Sequence, residues 1–328
     1  MFSLIISVAF YYYLGINGII PALVFSSLSY FIISQIINSK NSFSKFSFSI
    51  KNSLIKGKEI LQMGITYSFS GLLIILTTLL LQIFIKYYGS IVEVGLFIAG
   101  ISIVNNYVNL IFKAMSIDFF PKLSEIKSIT KSNKLVNEQA ILGLLLLSPI
   151  LIILIIFIKP VLFILYSSEF FSISFLVQLL IIGIVFRTLS WAISYFFLSK
   201  GDTKLFFKNE FIFNVFYLTS NIITYKYFGL NGLGIAFILS NFFYLILVYL
   251  SAKNAYNFKI DNDYIIILFI HLSFVIFITS IDYFGLLNTT YSFIVKIFIL
   301  IISLFISLKS INSRSNILIE LKNKVWRK

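Results

Sequence analysis

Ten stretches of the chain are apolar with few polar interruptions: 2–14, 18–37, 60–85, 94–116, 140–158, 175–198, 210–224, 232–250, 263–281 and 290–308. Most lack the polar face that a helix on a soluble core would show at helical spacing. They also lack the strict alternation of membrane barrel strands. A hydrocarbon layer of about 30 Å is crossed by roughly 20 apolar residues in a helix. Only a helix satisfies the backbone of such a run internally. The pattern therefore predicts an all-α, polytopic membrane helical bundle of about 10 transmembrane helices. The segment 2–14 is short for a span, and 210–224 is marginal.

Positive charge orients these spans. With the connection after the second span on the cytoplasmic side, the inner loops hold Lys40, Lys45, Lys51, Lys56 and Lys58, then Lys122, Lys127, Lys131 and Lys134. Next come Lys200, Lys204, Lys208, Lys253 and Lys259, and the tail adds Lys309, Arg314, Lys322, Lys324, Arg327 and Lys328. The outer connections carry Lys86, Lys159 and Lys226 alone. One missed span would scramble this bias, so it supports the span count as well as the orientation. All outer connections are too short for a folded domain, which locates function in the helical bundle.

Composition removes several function classes. Charged residues are 12% of the chain, against roughly 25% in soluble domains. The net charge of +14 belongs to membrane-flanking loops rather than to a basic stripe on a soluble domain, so nucleic acid is not an expected partner. There is no Cys, and His271 is the only His, which excludes thiolate and clustered-histidine metal sites. No P-loop or Gly-rich dinucleotide motif occurs. The acidic residues read as lying in loops or at span ends, Glu210 among them. The expectation is a protein that is not an enzyme, with no cofactor and no buried carboxylate.

Polar residues inside spans are costly in lipid and therefore informative. The fourth span carries Ser102, Asn105, Asn106, Asn109 and Lys113. Asn105, Asn109 and Lys113 recur every four residues and share one helical face about 12 Å long. Two readings stand: a wet cavity wall with a basic inner mouth for an anionic ligand, or amides that bond neighbouring helices. Arg187 is too deep in its span to snorkel easily. It reads either as a cationic site for phosphate or a moving counter-ion, or as a structural hydrogen-bond donor to backbone carbonyls. Lys296 reads as snorkelling to the outer interface, His271 as a packing residue rather than a proton relay, and Gln82 and Gln178 as interhelical ties.

Several segments in order resemble a known family. Asp118-Phe119-Phe120-Pro121-Lys122-Leu123-Ser124 follows the polar span and precedes Leu135-Val136-Asn137-Glu138-Gln139. Then come Ser148-Pro149-Ile150, Leu165-Tyr166-Ser167-Ser168-Glu169-Phe170, Leu198-Ser199-Lys200-Gly201-Asp202 and Phe228-Gly229-Leu230-Asn231-Gly232-Leu233-Gly234. This order resembles the oligosaccharide flippases of the polysaccharide transporter family, especially O-antigen translocases, within the superfamily of multidrug, oligosaccharidyl-lipid and polysaccharide exporters.

The resemblance implies two six-helix lobes around a central cavity, with two appended C-terminal helices. Lys56-Gly57-Lys58-Glu59-Ile60-Leu61-Gln62-Met63-Gly64 resembles the start of the second lobe. By that match, 1–37 holds the last two spans of an incomplete N-terminal lobe, whose first four spans are missing. Residues 38–59 are a basic cytoplasmic linker, and 60–250 is a complete six-helix C-terminal lobe. Residues 263–308 are the appended spans, and 309–328 a basic cytoplasmic tail. Many relatives carry an acidic residue where this chain has Leu81 or Gln82.

The function implied is flipping of undecaprenyl-diphosphate-linked oligosaccharide or O-antigen units across the bacterial cytoplasmic (inner) membrane, for polysaccharide and lipopolysaccharide biosynthesis at the cell envelope. Implied partners are the lipid-linked oligosaccharide, membrane lipids, a polysaccharide polymerase and assembly proteins. Asn105, Asn106, Asn109, Lys113 and Arg187 are the expected cavity residues. The alternatives are a drug or small-molecule antiporter of the same superfamily, a membrane polysaccharide polymerase, and a nonfunctional truncated fragment.

Overall fold

The computed structural model describes residues 2–39 and 50–314. Among them every regular element is a helix, and eight helical stretches are long and apolar enough to cross a membrane. The chain is a multi-pass membrane protein. Part of the basic linker, with Lys40 and Lys45, and the tail beyond Arg314 lie outside the described residues.

The ten apolar segments fit eight stretches because two of the stretches double back. The first holds α1 (Phe2–Leu14) and α2 (Ile19–Ser39), joined by a short 3-10 turn at Gly15–Gly18. Phe10 and Phe25 stack with ring centroids 5.3 Å apart. A continuous rod would hold these residues about 22 Å apart. Gly15 makes the reversal with φ +54°, a conformation open mainly to glycine. The second is α8 (Thr203–Tyr256), whose 54 residues would run about 81 Å if straight. It breaks at Gly229, where φ is 58° and ψ −142°. Across that break Ser220 and Ser240 bond hydroxyl to hydroxyl at 2.9 Å, and Ser251 donates to Asn209 at 2.9 Å. These pairs fix an antiparallel hairpin, with one leg before Gly229 and one after.

Chain contacts divide the protein into two units, Met1–Lys58 and Glu59–Lys328. In the first, α1 and α2 pack on each other, and α2 leaves most of its apolar side chains exposed. The helix α3 (Ile50–Tyr88) begins in this unit and continues into the second.

The second unit is organised around α7 (Ser174–Ser199), which packs on α4 (Ile91–Glu125), α5 (Ile129–Ile156), α8 and α9 (Asn262–Phe284). Its apolar residues are buried on all sides, as expected of a helix surrounded by protein. Gly183 and Gly234 let α7 and the second leg of α8 approach closely. A Cβ on Gly183 would lie 2.4 Å from the Phe237 ring, and one on Gly234 2.6 Å from the Leu179 Cβ. Small residues at such crossings allow tight packing where no hydrophobic drive separates protein from lipid. On α3, Thr77, Leu81 and Ile85 form the buried face, and Phe84 meets Tyr225 edge to face at 5.9 Å.

The C-terminal pair, α9 and α10 (Thr289–Ser313), is tied at three levels. Arg314 pairs with Asp263, the Ser303 hydroxyl lies 3.3 Å from His271 Nδ1, and Lys296 pairs with Asp282. Gln178 of α7 donates to the same Asp282 at 2.8 Å. The connection from α8 to α9 is pinned by Asn137, which donates to the Lys259 carbonyl at 3.0 Å and accepts from the Asp261 amide at 2.8 Å. Tyr256, the last residue of α8, donates to Asp202, which precedes its first. Lys200 donates to the Ile126 carbonyl at 2.5 Å, and desolvation there pushes its pKa below the ordinary lysine value.

Candidate functional site

The face of α4 follows from its periodicity. Val104, Val108 and Phe112 are buried against the bundle. One step round the helix, Asn105 is half-buried, while Asn106, Asn109 and Lys113 are exposed. Among the described residues, Asn109 and Lys113 have no side-chain hydrogen-bond partner, and no carboxylate lies within 4.0 Å of the Lys113 ammonium. Lys113 is five residues before Asp118, which pairs instead with Lys122 at 2.6 Å.

Asn105 is the member of the stripe that has a partner. Its side-chain oxygen accepts from Arg187 Nη1 at 3.3 Å. The guanidinium carbon also lies 5.9 Å from the centre of the Phe112 ring, within cation–π range. Two residues singled out separately in the sequence thus meet across the α4–α7 packing. Arg187 bonds a side-chain amide here, rather than the backbone carbonyls of the structural alternative. Its side chain remains partly accessible.

Glu210, read from the sequence as an acid at a span end, lies two turns inside the helix α8, which starts at Thr203. Its carboxylate accepts from Tyr244 on the second leg of α8, and the Tyr244 hydroxyl lies 2.8 Å from that of Ser194 on α7. Among the described residues no ion pair within 4.0 Å joins Glu210 to Arg187. The tyrosine hydroxyl compensates a carboxylate set among packed helices. The signal lay in Gly201-Asp202-Thr203, a helix start that places position 210 inside the helix rather than at its beginning.

The remaining polar candidates serve as ties. Lys296 does not merely snorkel; it is held by Asp282, which also accepts from Gln178. His271 is fully buried, with Nδ1 at Ser303 and Nε2 unpartnered among the described residues. Tyr225 donates to Glu93 in the first turn of α4, and Lys226 lies 4.9 Å from the Tyr88 ring centre. A recess of about 520 Å³ involves none of the candidate residues; Asn133, Lys134, Asn137 and Lys259 are among those lining it. Among the described residues no cluster of three metal-ligating side chains occurs.

Among the described residues the guanidinium uses one of its donors, and an amide and an exposed lysine lie on the neighbouring helix. Such groups have the chemistry to pair with anions and with hydroxyl groups. The fold is similar to that of the lipid II flippase MurJ in its inward closed conformation, with a TM-score of 0.61 at 19% identity. The likeness covers 96% of this chain and 66% of that protein, so the chain spans just under two thirds of the MurJ length. Neither a protein-family model nor a curated protein matches the sequence.

Proposed function

We propose that the protein is a transporter, not an enzyme, that flips a lipid-linked oligosaccharide between leaflets of the bacterial cytoplasmic membrane. Its substrate in this reading is an undecaprenyl-diphosphate-linked glycan of the O-antigen type. The observation that carries the proposal is the Arg187–Asn105 contact, beside the exposed Asn109 and Lys113, in a chain with a MurJ-like fold. A glycan diphosphate needs a hydrated cationic path, while its prenyl tail can stay in lipid. Arg187 and Lys113 supply charge for the diphosphate, and the asparagines exchange hydrogen bonds with sugar hydroxyls. Asn106, exposed beside the stripe, extends the same wall. A polysaccharide polymerase and assembly proteins are the partners that this role would bring. The test is complementation of a flippase-deficient strain, scored by appearance of the glycan on the outer leaflet.

Glu210 favours a second reading. A carboxylate inside the bundle is a feature that a cation-coupled drug or small-molecule antiporter of the same superfamily would use. Glycan export with no change in drug tolerance supports the flippase. Raised drug tolerance without glycan export supports the antiporter.

A further inference from the structure

We propose that Trp191 and Tyr195 are the sugar-reading residues of this site: two hydrogen-bond donors, held stiff in a ladder of aromatic rings, that meet the first sugars attached to a phosphate held at Arg187. This rests on the reading of Arg187 as a phosphate site and assigns the specificity residues beside it.

Three observations carry it. First, α7 opens in a single stripe. Among residues 187–198 all are buried except Arg187, Trp191 and Tyr195, which are partly accessible and recur every four residues. They share one face, with Trp191 about 6 Å and Tyr195 about 12 Å beyond Arg187 along the helix. Second, the two rings are locked. Trp191 stacks on Phe112 with ring centroids 4.9 Å apart and meets Phe119 at 5.6 Å. Phe112 and Phe119 are buried and stand seven residues apart on α4, about 10 Å along its axis, so the indole is held between them. Tyr195 packs on Trp191 at 5.1 Å and on Phe120 at 5.9 Å. Phe112 also lies within cation–π range of the Arg187 guanidinium, which joins the ladder to the cation. Third, the polar atoms of the ladder are unspent. The Trp191 indole N–H and the Tyr195 hydroxyl have no hydrogen-bond partner among the described residues, and neither atom is sealed from the surface.

Placement decides the consequence. Indole N–H and phenol O–H groups set in apolar surroundings ordinarily find a partner, and against hydrocarbon they would have none. The described residues supply no partner here, so it comes from whatever fills the open face. An indole N–H only donates, while a phenol hydroxyl donates or accepts. Sugar hydroxyls suit both, and an acetamido carbonyl suits the indole. A phosphate on the guanidinium fixes one end of the ligand, and the sugar joined to it falls on the next turn of the same stripe. Locked rings lose little freedom on binding, so their donors discriminate by position.

The experiment uses the full chain in nanodiscs with two probes. One is undecaprenyl diphosphate; the other is the same lipid carrying one N-acetylglucosamine, which presents hydroxyl and carbonyl acceptors. Trp191→Phe and Tyr195→Phe keep a ring in each place and remove the donor. Each should weaken binding of the glycosylated probe about fivefold, the loss expected of one neutral hydrogen bond, and leave the bare diphosphate within about twofold of wild type. The ratio of the two affinities is decisive, because a loosened ladder would lower both together. Arg187→Gln should weaken both probes. Equal losses for the two probes reduce the rings to packing, and no loss for either leaves them as part of an interfacial aromatic belt. Both results overturn the proposal. If Arg187→Gln weakens neither probe while the phenylalanine variants still weaken the glycosylated one, the phosphate reading of Arg187 has failed and the sugar contacts stand without it.

Discussion

Two helices of the second unit handle polar residues in opposite ways. On α7 they are consumed inside the protein: Gln178 donates to Asp282, Thr188 meets Tyr264 at 2.9 Å, and Ser194 meets Tyr244 at 2.8 Å. In the middle of α4, Asn106, Asn109 and Lys113 stand exposed, and Asn105 alone of these four has a side-chain partner among the described residues. Both helices are long and apolar enough to cross a membrane. The difference is what surrounds them, and it separates residues that glue helices from residues that can meet a ligand. Arg187 belongs to both groups, since it sits on the packed helix and reaches the open face of its neighbour.

The largest effects should come from breaking the close packing of α7. In Gly234→Val the new Cβ would meet the Leu179 Cβ at 2.6 Å, an atom that cannot swing aside without moving backbone. Overpacking of this kind costs about 1–3 kcal/mol or more. The expected outcome is a marked drop in melting temperature and in monodisperse yield. Gly95 of α4 has open space around it, and Gly95→Ala should change stability by no more than about 0.5 kcal/mol. If both variants melt like wild type, α7 is not the packed hub described here.

Next in size is Arg187→Ala. It should abolish complementation while membrane abundance stays near wild type, because the guanidinium is tied by one hydrogen bond and a ring contact. Abundance falling in parallel with activity would return Arg187 to a purely structural role.

The sequence carried the spans and the polar stripe, and its limits have physical causes. The break at Gly229 was legible because Phe228-Gly229-Leu230-Asn231-Gly232 interrupts a run far too long for one crossing. The Arg187–Asn105 contact was not, since periodicity places residues on a face but does not say which helix that face meets. The surroundings of Glu210 were not legible because an acid beside Lys204 and Lys208 looks like loop, and its partner Tyr244 comes from 34 residues away. The partner of Lys296 was not legible either: Asp282 lies on the neighbouring helix, across the turn at Gly285. Pairings over such separations are set by packing, and a single sequence does not encode them locally.

A smaller effect is expected at Lys113, which sits at the edge of the stripe with no carboxylate partner among the described residues. Lys113→Gln removes attraction for a diphosphate, whereas Lys113→Glu adds repulsion, so the second should slow flipping more. Water at the mouth screens both within about 8 Å at physiological salt, so the deficits should shrink as ionic strength rises. Equal deficits in the two variants, unchanged by salt, would remove electrostatics from the role of this residue.

The smallest perturbation tests the contrast most directly. The chain has no Cys, so a single introduced thiol reports on one position. Val108 and Asn109 are neighbours in sequence, but Val108 is 1% exposed while Asn109 is exposed on the stripe. Neither Val108→Cys nor Asn109→Cys adds bulk, so both proteins should fold. A small polar thiol reagent reacts with the thiolate, which forms readily only where water reaches the sulfur. If the stripe lines a hydrated path, Asn109→Cys and Asn105→Cys should label quickly and Val108→Cys should label far more slowly. If the stripe faces lipid instead, Asn109→Cys will be as unreactive as Val108→Cys, because hydrocarbon excludes both water and reagent. Fast labelling at both positions would mean that α4 turns its packed face to water as well, and the assignment of a cavity wall to one side of the helix would be lost.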